Sequence, residues 1–127
     1  MRAFLDEARF AVLGTTNPSG SPHLTVMWYL LEGDEIVMNT KRGRAKERNL
    51  RRDPRASFMV TDGYDFVRID SAIRIIEDAR VGYEDIRRLA IRYHGEEVGD
   101  RQARDTFSKQ ERITLRLPIE KVYSDGI

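Results

Sequence analysis

The sequence contains no cysteine among its 127 residues. This absence excludes disulfides, thiolate nucleophiles and cysteine-ligated metal sites. It has only two histidines, His23 and His94, too far apart to form a histidine-rich metal site alone. No run of apolar residues approaches the ~18 that a membrane span needs, and the first residues lack the apolar core of a signal peptide. We therefore expect a cytoplasmic protein that has no metal centre and makes no membrane contact.

The composition is that of an ordinary globular protein, with 40% apolar and 34% charged residues. A chain of 127 residues predicts a single domain that spans residues 1–127. A domain of this size can build one core, but not two lobes with a deep cleft between them. A mid-sized cofactor is therefore expected in a surface groove or between two copies of the chain.

Positive charge is concentrated in one segment, residues 41–55. Eight of the 22 Lys and Arg residues lie there against two acidic residues, which gives the segment a charge of +6. The remaining 14 basic and 19 acidic residues give the rest of the chain a charge of −5. The segment follows a strand-like run and begins a helix-like one, a common place for a bound phosphate. Its basic residues are Lys41, Arg42, Arg44, Lys46, Arg48, Arg51, Arg52 and Arg55.

Hydrophobic periodicity predicts a mainly β protein. Alternating or apolar runs predict strands over residues 10–16, 22–31, 35–40, 56–61, 66–76 and 113–117. Helical spacing predicts helices over residues 1–8, 43–52 and 83–93, and residues 94–104 are expected to form a loop that runs into a short helix. The strand over 22–31 has two apolar faces, which indicates a barrel wall with a covered outside. The pattern favours a six-stranded antiparallel barrel with helices packed outside.

The start of the predicted helix over 43–52 carries the wrong charge for helix stability. Cations such as Arg44 and Lys46 in the first turn oppose the helix macrodipole at a cost of about 0.3–1 kcal/mol each. An anion held there by free backbone N–H groups and these side chains relieves the conflict. Thr40 adds a hydroxyl, and Gly43 allows the backbone to approach a ligand closely.

Two other interpretations of the basic segment remain open at this point. The first is a solvated charged face, in which Glu47 and Arg51 form an i,i+4 pair. The second is a contact with a nucleic-acid backbone. The second is disfavoured because aromatic residues are not interleaved with the basic ones and the whole chain carries a net charge of only +1.

Residues 40–57, TKRGRAKERNLRRDPRAS, are similar to a signature of the pyridoxamine-phosphate-oxidase-like flavin/deazaflavin split-barrel family. They most closely resemble the branch that depends on the deazaflavin coenzyme F420. Residues 13–23 resemble the first hairpin of that family, and residues 115–123 resemble its last strand. The resemblance covers nearly the whole chain. It implies a split β-barrel homodimer with two cofactor grooves at the subunit interface.

The resemblance also implies the cofactor-binding residues. It matches Arg44 and Lys46 to the phosphate ligands of the family and places others beside them, and it matches one strand to the cofactor ring. The full set is His23, Thr25, Val26, Met27, Trp28, Asn39, Thr40, Lys41, Gly43, Ala45, Arg48 and Asn49 in addition to those two. Ser71 stands where the family often has glycine, which implies a narrower pocket.

The implied activity is hydride transfer between C5 of the deazaflavin and an unsaturated or heteroaromatic small molecule. No side chain is expected to serve as an obligatory acid or base, and the resemblance does not identify the acceptor. One alternative is an FMN-dependent oxidoreductase on the same fold. Another is a non-catalytic protein that carries a flavin or binds haem, for which His23 and His94 are the only histidines available as axial ligands.

Overall fold

The structure, a computed structural model, describes residues 1–127 as nine strands, four α-helices and one short 3₁₀ helix. The first half contains α1 (Arg2–Asp6), β1 (Ala11–Thr16), β2 (Pro22–Met27), β3 (Leu30–Glu32), β4 (Glu35–Lys41) and α2 (Ala45–Arg52). The second half contains β5 (Arg55–Asp62), β6 (Asp65–Ala72), β7 (Arg74–Ile76), α3 (Ala79–His94), α4 (Glu96–Asp105), the 3₁₀ helix (Phe107–Lys109), β8 (Arg112–Pro118) and β9 (Lys121–Asp125).

The strands form two antiparallel sheets. One sheet has the order β2-β1-β5-β6-β9, and the other has the order β3-β4-β8-β7. Every recorded strand pair is antiparallel, which confirms the predicted mainly β architecture with flanking helices. The arrangement differs from the expected six-stranded barrel, because nine strands are divided between a five-stranded and a four-stranded sheet.

Two breaks account for most of the difference in strand number. The predicted strand over 22–31 stops after Met27 and resumes at Leu30 in the other sheet. At this corner the backbone N–H of Tyr29 donates to the hydroxyl of Tyr93 at 3.2 Å. The predicted strand over 66–76 breaks in the same way at Ile73, whose N–H donates to the carbonyl of Pro54 at 2.8 Å. Each long strand therefore contributes to both sheets, and its freed backbone groups find partners elsewhere.

The main core lies between the two sheets. Leu13, Phe58, Ile69 and Leu115 are fully buried there. The ring of Tyr29 meets that of Phe58 edge to face, with ring centroids 5.2 Å apart. The alternation predicted along residues 66–72 is confirmed for this strand, because Val67 and Ile69 are buried while their neighbours are partly exposed.

The helices α3 and α4 form a second, smaller core beside the four-stranded sheet. Its buried members are Ile86, Leu89, Ala90, Ala103 and Phe107. Residues 96–105, expected as loop and short helix, form the ten-residue helix α4. Gly99 lets α4 cross α3 closely, because a Cβ there would lie 2.5 Å from the backbone nitrogen of Ile91. None of the helices combines the length and apolar character required to cross a bilayer.

Candidate cofactor-binding groove

The elements β2, β4, α2, α3 and β8 surround a groove of about 200 Å³. We call this site the basic groove. It brings together eight of the fourteen residues implied by the resemblance and adds four from the C-terminal half. It contains no acidic residue. The lining residues are Val26, Met27, Trp28, Asn39, Thr40, Lys41, Arg44, Lys46, Ile86, Leu89, Phe107 and Arg112.

A tight turn positions the start of α2 at this groove. Gly43 adopts a φ of 92°, which favours glycine, and Arg44 is the N-cap of the helix. The backbone N–H of Gly43 donates to Oε1 of Glu47 at 2.6 Å. The N–H of Gly43 is therefore committed to the turn, so the role of this residue is to shape the turn. The N–H groups of Ala45 and Lys46, in contrast, donate to no acceptor within the chain.

The basic segment divides into a paired half and an unpaired half. The predicted ion pair between Glu47 and Arg51 is present at 2.8 Å, and Arg42 lies 3.5 Å from the same carboxylate. The interpretation as a charged face therefore holds for this half, although Glu47 itself is buried. The unpaired half consists of Arg48 and Arg52, which donate to backbone carbonyls, and of three residues that line the groove. None of the side chains of Lys41, Arg44 and Lys46 forms an ion pair within the chain.

Two of the groove cations are removed from water. Lys46 is only 7% exposed, and its pKa is lowered first by burial and then by the charges of Arg44 and Arg112. Burial, together with the charge of Arg44, lowers the pKa of Arg112 to about 10, so this guanidinium is still charged at neutral pH. A partly desolvated cation without a counter-ion is unfavourable. An anion in the groove would remove this penalty for both side chains.

The strand β2 presents polar atoms that lack partners. His23 Nδ1 and Thr25 Oγ1 are buried and form no hydrogen bond. Because side chains alternate along a strand, both residues share the face of β2 that ends at Met27, a groove residue. Ser71 Oγ, on β6, is also buried without a partner. Buried polar groups are nearly always hydrogen-bonded, so these atoms are unusual and suit a polar ligand along β2.

Several residues implied by the resemblance lie outside the groove. Arg48 is exposed and donates to the carbonyl of Gly43. Asn49 is buried, and its Nδ2 donates to Thr15 Oγ1 and to Asn17 Oδ1, both at 3.1 Å. These two side chains hold α2 and its turn in place, rather than facing the groove. Ala45, at the first helical position, does not line the groove either.

The aromatic wall of the groove is held by stacking. The ring of Trp28 is parallel to that of Tyr93, with centroids 5.4 Å apart, and Phe10 stacks on the same tyrosine ring at 5.6 Å. His94 meets the edge of Trp28 at 5.0 Å, and its Nδ1 lies 2.9 Å from Gln102 Oε1. His94 is thus part of the support behind Trp28 and does not reach the groove.

Sequence reasoning missed one cation of the groove, Arg112, and one aromatic side chain, Phe107. Arg112 is separated from the basic segment by most of the chain, and a lone arginine at the start of a strand gives no signal of a site. The antiparallel register of β4 and β8 places it opposite Lys41. Ile86 and Leu89 were expected only as a buried helical stripe, and the structure places that stripe against the groove.

Comparison with known proteins identifies the family and the fold. The family profile of pyridoxamine 5'-phosphate oxidase matches residues 1–124. Conserved hypothetical protein Rv2991 from Mycobacterium tuberculosis is 31% identical with a TM-score of 0.83, over 97% of this chain and 80% of that one.

Two more distant structures share the fold. An F420 reductase is 19% identical with a TM-score of 0.76, over 96% of this chain and 94% of that one. The heme storage protein HutZ from Vibrio cholerae is 17% identical with a TM-score of 0.73, over 98% of this chain and 92% of that one. At these identities the likeness concerns the fold alone. The family profile, in contrast, matches nearly the whole chain and therefore shows the family: the chain belongs to the pyridoxamine 5'-phosphate oxidase family.

Proposed function

We propose that this chain is an oxidoreductase that holds the deazaflavin coenzyme F420 in the basic groove. The coenzyme would supply hydride transfer between C5 of the deazaflavin and an unsaturated or heteroaromatic small molecule. The main supporting observation is the charge of the groove. Its lining contains four cations, Lys41, Arg44, Lys46 and Arg112, and no acidic residue. Membership of a family that includes oxidoreductases and the shared fold with an F420 reductase support the proposal.

The residues present fit such a cofactor. Arg44, Lys46 and the free N–H groups at the start of α2 suit a phosphate group. The unpartnered atoms of His23 and Thr25 on β2 suit the polar edge of a ring system. When bound, the coenzyme supplies the redox chemistry, and the protein supplies position and charge complementarity.

The chain's own contribution to the reaction is binding and exclusion of water. Arg44 and Lys46 neutralise the anionic part of the cofactor, and Met27, Trp28 and Leu89 form the apolar wall beside them. The lining contains neither a carboxylate nor an imidazole. The proton that completes the reduction therefore comes from solvent or from a groove cation such as Lys46, whose pKa is lowered by burial.

We also propose that the protein is a homodimer. Leu24 and Val26 on β2 are 65% and 70% exposed, and Phe10 beside them is 62% exposed. The strand is also an edge of its sheet, so the backbone groups along one side of it have no strand partner. A homodimer in which the partner covers the exposed face of β2 would bring the partner next to the groove. Sedimentation equilibrium should give the mass of two chains, and a single-chain mass at micromolar concentration would contradict the dimer.

The alternative with most support is an FMN-dependent oxidoreductase. Both cofactors carry a phosphate and a similar ring, but four cations exceed the need of one phosphate. The tail of coenzyme F420 carries further carboxylates that these cations suit. Haem has less support, because His94 is engaged with Gln102 and does not line the groove, which leaves His23 as the one histidine available as an axial ligand.

Paired titration distinguishes the two cofactors. We expect a colourless purified protein that binds coenzyme F420 at least ten times more tightly than FMN, measured by cofactor fluorescence on one protein preparation. One further charged contact, at about 1.5–3 kcal/mol, is enough for this ratio. A yellow protein that releases FMN on denaturation would favour the alternative. Tight binding without turnover of any acceptor would instead favour a carrier.

A further inference from the structure

We propose that Arg112 on β8 is a third anion ligand of the basic groove, together with Arg44 and Lys46. We further propose that Asn39 is the positioning residue that orients it. This inference rests on the proposed function, because it assumes that the groove holds an anionic cofactor. It adds a ligand from outside the basic segment, and it changes the expected role of Asn39.

The contacts of Arg112 are all neutral. Its Nε donates to Asn39 Oδ1 at 2.9 Å, and its Nη1 donates to Gln110 Oε1 at 2.9 Å. The guanidinium lies over the ring of Phe107, 4.9 Å from the centroid. Nη2 has no acceptor within the chain, and no carboxylate forms an ion pair with this arginine. The side chain is therefore fixed in position while its charge is left uncompensated.

Arg116 lies on the same face of β8, four residues after Arg112, and has a structural role. Its Nη2 lies 2.7 Å from Glu32, and its Nη1 lies 3.1 Å from Glu35. Between the two arginines, Thr114 donates to the buried carboxylate of Asp85 at 2.7 Å. Arg116 and Thr114 thus each contact a carboxylate within the chain, whereas Arg112 on the same face contacts only neutral groups. Arg112 lines the groove.

The amide of Asn39 is fixed at both ends, and its Nδ2 also lies 3.5 Å from Thr114 Oγ1. Its Nδ2 donates to the carbonyl of Gly82 at 2.9 Å, which fixes the orientation of the amide and turns Oδ1 towards Arg112. Gly82 packs directly against the backbone of β8 because it has no side chain. A Cβ there would lie 2.1 Å from the carbonyl oxygen of Arg112. Both ends of the buried Asn39 amide are therefore used within the chain, and neither is free for a ligand.

The charges around the groove favour a ligand with more than one negative charge. Burial and then the charges of Arg44 and Arg112 lower the pKa of Lys46, and burial and then the charge of Arg44 lower the pKa of Arg112. Placing three like charges around about 200 Å³ is unfavourable in the free protein. Loss of one cation should therefore relieve the free protein and harm the complex. A merely structural arginine would instead lose stability when replaced.

The test combines binding with thermal stability. Arg112→Gln should weaken binding of coenzyme F420 at least tenfold by fluorescence titration, with a smaller fall in melting temperature than Arg116→Gln gives. Arg112→Lys should retain more of the affinity than Arg112→Gln does. The matched control, Arg116→Gln, should lower the melting temperature and leave the affinity within about twofold, because its partners are Glu32 and Glu35.

The positioning role of Asn39 is tested by comparing coenzyme binding in single and double variants. Asn39→Ala should weaken coenzyme binding several-fold, and the double variant with Arg112→Gln should bind no more weakly than Arg112→Gln alone. This non-additivity follows if Asn39 acts only through Arg112. Additive losses would show that Asn39 contacts the ligand itself and would overturn its assigned role.

Failure of this inference can be told apart from failure of the proposed function. If the wild-type protein binds coenzyme F420 but Arg112→Gln binds within threefold of it, Arg112 is not a ligand. If the wild type binds neither coenzyme F420 nor FMN, the proposed function fails. Inorganic pyrophosphate, which needs only the cations, is titrated in parallel. A tenfold loss of pyrophosphate affinity in Arg112→Gln would then still support the anion site. If the wild type did not bind pyrophosphate, the assignment of an anion site would be wrong.

Discussion

Replacing Arg44 by glutamine and Lys46 by methionine in one variant should weaken binding of coenzyme F420 by at least 100-fold. Each charged hydrogen bond to a phosphate contributes about 1.5–3 kcal/mol, and every 1.4 kcal/mol corresponds to about tenfold in affinity. Stability of the free protein should not fall, because burial already disfavours the charged form of Lys46. Fluorescence titration of the coenzyme measures the affinity, and urea denaturation measures the stability.

A matched control removes the same charge elsewhere. Arg80 and Arg101 are exposed and form no ion pair within the chain. The variant with both changed to glutamine should bind within about threefold of the wild type at physiological salt, where exposed charges beyond ~8 Å are screened. If the groove variant also stayed within threefold, the cations at the start of α2 would not be the anion site.

Glu47→Ala should lower the free energy of unfolding by about 3 kcal/mol, the low end of the range for a broken buried ion pair. The Glu47 side chain is 7% exposed, and its carboxylate accepts from Gly43 N–H at 2.6 Å and from Arg51 Nε at 2.9 Å. Its loss leaves the turn before α2 without its main contact. We choose the low end because Arg42 and Arg51 are 37% and 40% exposed and can regain water. Urea denaturation measures the change.

The pH dependence of the free energy of unfolding can show whether the charge of Glu47 causes this stabilisation. Burial opposes ionisation, but the Gly43 N–H and the Arg51 guanidinium outweigh it and hold the pKa below its usual value of 4.5. A carboxylate whose pKa is lower in the folded state stabilises the protein above pH ~4.5 and loses this effect as pH falls through the folded-state value.

Glu47→Gln keeps an acceptor for Gly43 and loses only the charge. Its stability deficit relative to wild type should therefore be constant near neutral pH and shrink below pH ~4.5. A deficit that does not change between pH 7 and pH 3 would show that the charge is not responsible. Using the difference between two proteins cancels the other carboxylates with lowered pKa values, such as Glu32 and Asp70.

The architecture was predictable where one face of a strand is buried and the other is not. The alternation along residues 66–72 gave the correct strand for this reason. The corner at Trp28 and Tyr29 was not predictable, because both residues are apolar and continue the pattern of β2 while the chain moves to the other sheet. The strand β9 was missed because all five of its residues are exposed and it has no hydrophobic period.

Gly95 and Gly99 misled the prediction for residues 94–104. Glycine usually signals a break in a helix, and here it serves a cap and a close helix crossing.

The candidate site was predictable only in its first half. Charge density pointed to the start of α2, and Lys41, Arg44 and Lys46 do line the groove. The sequence could not separate these three from the five basic neighbours outside the lining, because that depends on which carboxylates and backbone carbonyls the fold brings near. Glu47 was expected as one member of a surface pair, and its burial follows from the turn at Gly43. Arg112 enters the site through strand register alone.

The pairing of β4 with β8 places Lys41 opposite Arg112 and Asn39 opposite Thr114, so the groove is closed by chain segments distant in sequence. Such non-local pairing forms late and slowly during folding. A fragment that lacks either β4 or β8 therefore lacks part of the lining of the groove. A ligand that occupies it therefore acts as a selective stabiliser of the finished molecule, by about 2.7 kcal/mol at a hundredfold excess over its dissociation constant. Scarcity of the coenzyme would then expose newly made chains to proteases.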